Sequence, residues 1–149
     1  MDEKTDVARR ILSIFQQQKL AALSTHSKGQ PYASLIAFTA GSDLKTLLFM
    51  TPETTRKFSY LSDDPRVALL INNSLNLSSD IYRAAAVTAI GKAQVVQGQR
   101  KMQLTAMHLE KHPHLKDFAR ADTTAVVQVL VDRYFLVENF QNVIELRML

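Results

Sequence analysis

Apolar residues along this chain fall into two kinds of pattern, and the change from one to the other marks out the predicted elements. Val7, Ile11 and Ile14 recur at spacings of four and three, so a first helix is predicted, capped at Asp6 and fading near Gln18. Leu20 to Ser24 predicts a short strand, Ser27 to Pro31 a turn, Tyr32 to Thr39 a second strand, and Gly41-Ser42-Asp43 another turn. Leu47 to Met50 is a continuous apolar run, the length of a buried strand. Leu20 to Met50 therefore reads as a three-stranded meander.

From Thr51 the period changes. Thr51 can cap a helix, Pro52 suits its first position, and Glu53 complements its dipole. Phe58 and Leu61 give that helix an apolar face over about three turns, and Asp63-Asp64-Pro65 ends it. Val67 to Ile71 is a buried strand ending at Asn72-Asn73, and Ser74 to Asp80 is polar loop. Arg83 to Val96 predicts a long strand with Gly91 as a bend or bulge. Met102, Ala106 and Leu109 then define a second long helix from Gln99 to about Lys111, closed by His112-Pro113, with one further turn at Leu115 to Ala119. Thr124 to Val131, Arg133 to Val137 and Val143 to Leu149 complete the strands. Six to eight strands cluster around three helices instead of alternating with them. The predicted class is α+β, mainly β, and the glycine bend suggests a barrel.

Composition adds bounds. The chain has 149 residues, 46% hydrophobic and 21% charged, as expected of one globular domain spanning residues 1–149. The net charge of +4 is scattered, with no long basic run, so nucleic acid is not an expected partner. With no cysteine, disulfide, thiolate–zinc and thiol chemistry are excluded. The opening residues lack the apolar core of a secretory signal, and no run approaches a membrane span of roughly 20 residues. A cytoplasmic protein is expected.

The four glycines form neither GxGxxG nor GxxxxGK[ST], and no G-x-S-x-G occurs. What remains is Thr54-Thr55-Arg56-Lys57. Two hydroxyls, a guanidinium, an ammonium and free N–H groups at a helix start suit a phosphate; a solvated basic turn is the plain alternative. His108 and His112 stand four apart, the spacing at which two imidazoles can reach one metal, with His114 or Glu110 as third ligand. Cationic histidines at a solvated helix end are the simpler reading, and no metal is assigned.

Together these pieces resemble the FMN-binding split barrel of the pyridoxamine 5'-phosphate oxidase-like superfamily, from about Leu20 to Leu146. The likeness rests on the strand ending Phe49-Met50-Thr51, on Thr55-Arg56-Lys57, on Asp64-Pro65-Arg66-Val67, and on Ile90-Gly91-Lys92-Ala93. His112-Pro113 and Tyr134 to Val137 look most like the haem-utilisation branch. The resemblance implies a six-stranded antiparallel split β-barrel with flanking helices, built as a homodimer with flavin sites at the subunit interface. It implies that Thr55, Arg56 and Lys57 hold the FMN phosphate and that Met50 and Thr51 line the flavin. Ser34, Leu35, Ile36 and Ala37 would present backbone to the ring edge, with Asn73 near the dimer seam. The expected function is an FMN-binding flavoprotein, an oxidoreductase whose substrate and acid or base are not identified; a haem-binding or cofactor-free module is the alternative. Ser34 and Thr39 stand where the vitamin B6 oxidases carry Arg and Lys, and no histidine follows His114, so neither vitamin B6 oxidation nor haem oxygenation is assigned.

Overall fold

A computed structural model describes residues 2–149. Helix α1 (Glu3–Gln17) is capped four residues before the expected position: Asp2 caps it, accepting the Thr5 N–H at 2.7 Å, while Asp6 pairs with Arg9 and Arg10 inside the first turns. Strands β1 (Leu20–Ser27) and β2 (Gln30–Ala37) form a hairpin whose turn places Lys28 and Gly29 at positive φ. Then come β3 (Thr39–Ala40), β4 (Thr46–Pro52), α2 (Arg56–Asp63) and β5 (Arg66–Asn72). The one-turn α3 (Asp80–Arg83) takes the end of the expected loop at Asp80 and the expected strand start at Arg83, so β6 (Ala86–Val96) begins three residues late. Helix α4 (Gly98–Lys111), a 3-10 turn at Pro113–Leu115 and α5 (Lys116–Arg120) lead to β7 (Thr124–Glu138) and β8 (Asn142–Arg147).

All pairings are antiparallel, and the strands lie in the order β2-β1-β5-β6-β7-β4-β3, with β8 also on β7. The two ends of this path, β2 and β3, are separated in the chain by Phe38 alone. One residue thus carries the backbone from one edge of the curled sheet to the other and closes a split barrel. The expected class holds, with two corrections. Eight strands are present among the described residues, not six, because β3 adds a ladder of two pairs and β8 one of six. The expected meander is two hairpins meeting at a corner: only Thr39 and Ala40, not β2, pair with β4.

Phe38 points inward. It is wholly buried, with its ring 5.5 Å from Phe15, which in turn lies 5.7 Å from Tyr134. Strand β4 is buried on both faces, which explains its unbroken apolar run: Leu47 and Phe49 enter the barrel core, while Leu48 and Met50 meet Leu104, Ala119 and Phe118 of α4 and α5. In α4 the buried stripe is Leu104–His108–His112, not the expected Met102–Ala106–Leu109; Met102 is exposed. Two histidines take core positions because each finds a hydrogen-bond partner there.

The wholly buried Tyr134 donates its hydroxyl to the Leu44 carbonyl at 2.7 Å, holding the β3–β4 connection where Leu44 has positive φ. Tyr134→Phe leaves that carbonyl without its partner and should cost about 1–3 kcal/mol, read as a lower urea midpoint with an unchanged slope. Among the described residues no helix is long and apolar enough to cross a membrane.

Candidate functional site

The end of β4 and the start of α2 position the basic residues. Pro52 stays in the ladder opposite Thr124 and Thr51 opposite Ala125, so the strand runs through both expected helix-start positions. The cap is therefore Thr55, not Thr51. Its Oγ1 accepts the Phe58 N–H at 3.3 Å, donates to the Pro52 carbonyl at 3.1 Å and lies 2.6 Å from Thr51 Oγ1. The Arg56 and Lys57 N–H groups then fall in the first turn, where no intrahelical acceptor exists. The helix is about two turns, shorter than expected. Neither Arg56 nor Lys57 pairs with an acid among the described residues. The exposed Arg56 lies over the Tyr32 ring at 5.7 Å, and Tyr32 packs edge-on against Tyr60. Tyr32 on the β1–β2 hairpin thus orients the guanidinium, a contact the sequence reading missed.

Beside this helix start lies a cleft of about 230 Å³. Leu35, Ile36 and Ala37 supply one wall, Met50 and Pro52 another, and Lys57 one end. His108, Leu115 and Phe118 complete it. Five residues singled out from the sequence for cofactor binding (Leu35, Ile36, Ala37, Met50 and Lys57) therefore share one cleft. Thr51, Thr55 and Arg56 are not among its lining residues; they adjoin it in the chain, beside Pro52 and Lys57. Ser34 does not line it; its Oγ is buried without a partner. Asn73 follows β5 and is occupied elsewhere, its Oδ1 accepting the Ala85 N–H at 2.7 Å. Leu115 and Phe118 carried no signal beyond apolarity.

Three other hollows are larger, among them one of about 270 Å³ against Ser24, His26, Pro31 and Ala68. One of about 570 Å³ lies between α1 and β8, edged by charges of both signs from Glu3, Lys4, Glu145 and Arg147. Another of about 430 Å³ sits on the outer sheet beside Gly91, between Arg66, Lys92 and Leu130. None of the three contains an uncompensated helix start beside an apolar slot.

His108 and His112 are neither solvated nor paired as metal ligands. Each is 1% exposed. His112 Nε2 donates to the Phe38 carbonyl at 2.8 Å, and His108 Nδ1 lies 2.8 Å from Thr39 Oγ1. The two imidazoles thus lock α4 onto the barrel corner. Among the described residues no three metal-binding side chains are grouped. Burial, followed by the neighbouring His112 and Lys111, pushes His108 down from 6.5 to about 4. Burial likewise lowers His112. Lys111, donating to the Phe15 carbonyl at 2.9 Å, is lowered by burial and then by Lys19 to about 8.

For His108 the sign is clear: the unfolded chain takes a proton below about pH 6.5, while the folded chain refuses it until about pH 4. Its contribution to stability should be complete above pH 6.5 and lost progressively as the pH falls to about 4. Urea unfolding across that range should show the decline, and His108→Leu should make it shallower.

Comparison with known proteins places this geometry. Residues 7–138 match the family model described as Pyridoxamine 5'-phosphate oxidase. No curated protein sequence matches the chain. Among solved structures it resembles a haem-binding protein from Mycobacterium smegmatis at 20% identity and TM-score 0.83, covering 99% of this chain and 59% of that one. It resembles the haem storage protein HutZ from Vibrio cholerae at 16% identity and TM-score 0.75, covering 87% and 92%. It also resembles an FAD-binding protein from Mesorhizobium loti at 13% identity and TM-score 0.70, covering 87% and 90%. The chain spans about three-fifths of the length of the M. smegmatis protein. At these identities the likeness is one of fold.

Proposed function

This chain belongs to the pyridoxamine 5'-phosphate oxidase family, and on that premise we propose that it is an FMN-binding flavoprotein, an oxidoreductase of that family's general type. The observation that carries the reading is the meeting of an acid-free cationic helix start with an apolar slot in one cleft. Arg56, Lys57 and the Thr55-capped first turn would hold the phosphate. Met50, Thr51 and the Ser34–Ala37 strand would flank the ring. Bound flavin supplies the redox chemistry; this chain binds and orients it and shields it from water. Leu35 and Met50 offer apolar surface, and Lys57 brings a mobile cation to the slot's mouth.

The active unit we propose is a homodimer with a flavin site at each end of the shared interface, in the cytoplasm. The cleft of one chain, about 230 Å³, is smaller than the roughly 300–1,000 Å³ of ordinary ligand pockets. Its outer rim continues onto an apolar face where Leu35, Ala22 and Leu70 lie in one row across β2, β1 and β5. Leu35 is 68% exposed and Leu70 is 43%. A second copy covering that row would complete the slot, and Asn73 would then sit close to the seam.

The test is direct. Purified protein incubated with FMN should retain flavin absorbance between about 300 and 600 nm, and light scattering should give a dimer. Leu35→Glu with Leu70→Glu should yield a monomer that loses the flavin. Haem is the alternative with specific support. His108 is a neutral imidazole in the cleft wall, the type of group that ligates haem iron, and two of the similar folds are described as haem proteins. A Soret band on haem titration, abolished by replacing His108, would favour it over flavin. A protein that takes up neither would be a cofactor-free binding module.

A further inference from the structure

We propose that His108 is a ring-recognition residue: its Nε2–H donates a hydrogen bond from the floor of the cleft to an acceptor atom, a carbonyl oxygen or aromatic nitrogen, on the heterocycle bound there. This rests on the reading of the cleft as a flavin site and adds the side chain that reads the ring, as distinct from the phosphate.

The inference begins with a proton count. Thr39 is buried, and His108 Nδ1 at 2.8 Å is the one side-chain hydrogen-bond partner of its Oγ1 among the described residues. A hydroxyl has one hydrogen and two lone pairs. Were Oγ1 only to accept from the ring, its own hydrogen would be buried without a partner, whereas His108 lines the cleft and its Nε2 is not among the buried side-chain atoms that lack a partner, so a hydrogen there reaches water. The hydroxyl therefore donates to Nδ1. A neutral imidazole has one N–H, so the proton sits on Nε2.

The ring stays neutral. Burial disfavours the imidazolium, and His112 packs against it with ring centroids 4.6 Å apart. His112 cannot supply an acceptor through its own Nε2, which is committed to the Phe38 carbonyl. No protein acceptor meets His108 Nε2 among the described residues, although the side chain is 1% exposed and forms part of the cleft wall. Its Nε2 is not sealed from solvent, since it is not among the buried side-chain atoms that lack a partner. A ligand acceptor in the cleft would replace water at that donor and bring it into a drier site, where the bond is stronger.

The other walls give that donor its selectivity. Leu35, Ile36, Ala37 and Met50 offer apolar surface to a flat ring, and Lys57 marks the phosphate end. A neutral donor at the floor favours a ring edge bearing oxygen or nitrogen over a purely hydrocarbon one. Thr39 Oγ1 fixes the His108 imidazole through Nδ1, and the His112 ring packed against it is itself held by the Phe38 carbonyl, so the His108 rotamer is set before any ligand arrives.

Flavin fluorescence titrations with FMN and with riboflavin, which lacks the phosphate, separate the two ends of the cleft. His108→Leu should weaken both ligands by about tenfold, the scale of one neutral hydrogen bond. His108→Gln, whose amide N–H reaches a similar point, should recover most of that loss. Arg56→Ala with Lys57→Ala should weaken FMN far more than riboflavin. Wild-type binding with no loss in His108→Leu overturns the proposal and leaves the flavin reading intact. Failure of the wild type to bind either ligand overturns the flavin reading and the proposal with it. A measurement on the unaltered protein guards against misfolded variants: ring 15N shifts of His108 should report the Nε2–H tautomer at pH 7 and should move on adding riboflavin. The Nδ1–H tautomer, or a resonance indifferent to riboflavin, overturns the proposal.

Discussion

Replacing Arg56 and Lys57 together with alanine is expected to weaken FMN binding at least tenfold. A charge-assisted hydrogen bond to phosphate contributes roughly 1.5–3 kcal/mol, and 1.4 kcal/mol is a factor of ten. Two full contacts would exceed a hundredfold. The lower bound is set by Arg56, which is exposed and therefore screened by water and salt. Its position over Tyr32 recovers part of that loss, because the guanidinium is already held beside the helix start. Tyr32→Leu should accordingly show a smaller effect in the same direction. Raising the salt concentration should weaken the wild type more than the double variant. Since neither cation has an acidic partner to lose, the fold should be undisturbed, and unchanged unfolding by urea is the control. Equal FMN affinity in the wild type and the double variant would reject the phosphate assignment.

The largest effect on stability is expected at Gly91. A Cβ built there would lie 2.3 Å from the Leu130 carbonyl oxygen and 2.9 Å from Val129 Cγ1. The first clash is with backbone, so no side-chain rotation relieves it. The register shows why the strands come so close: Ile90 pairs with Arg133 but Gly91 pairs with Val131, leaving Asp132 as an extra residue in β7. The bulge is pinned from its other side, because the Asp132 carbonyl accepts the Met148 N–H at 2.8 Å. Gly91→Ala should cost about 3 kcal/mol, the upper part of the range for forcing atoms into a packed interior. That is a large share of the 5–15 kcal/mol typical of whole domains. Gly29→Ala is the comparison: nothing lies within 4 Å of its Cβ, and only its φ of +81° opposes the change. It should cost about 1 kcal/mol. Similar urea midpoints for the two variants would remove the bulge from this explanation.

Much of the barrel was legible because its signals are local. Continuous apolar runs marked β4 and β5, and Gly91 was read as a bend. Thr55-Arg56-Lys57 was found as an anion-binding pattern and does stand at a helix start. The misplaced cap shows where local reading stops. Thr51-Pro52-Glu53 is a good helix start in isolation, but pairing of Pro52 with Thr124, seventy-two residues later, holds it in the sheet. Likewise the apolar period of α4 pointed to Met102 and Ala106. The buried face instead carries His108 and His112, since the barrel corner offers a hydroxyl and a carbonyl that make imidazoles acceptable inside. No periodicity in hydrophobicity registers a polar residue whose partner is far away in sequence. The corner at Phe38 was invisible for the same reason: nothing local distinguishes a strand that continues from one that changes edge.

The position of β7 between β6 and β4 bears on how the chain is made. On the ribosome, Leu47–Met50 emerges with only the two residues of β3 beside it, and its main ladder partner, Thr124–Glu138, is still untranslated. At elongation rates of about 5–20 residues per second, that apolar segment waits several seconds with one edge bare. The nascent N-terminal half therefore offers a strand to any other unpaired edge nearby, and premature termination before Thr124 would release a product prone to sticking to its neighbours.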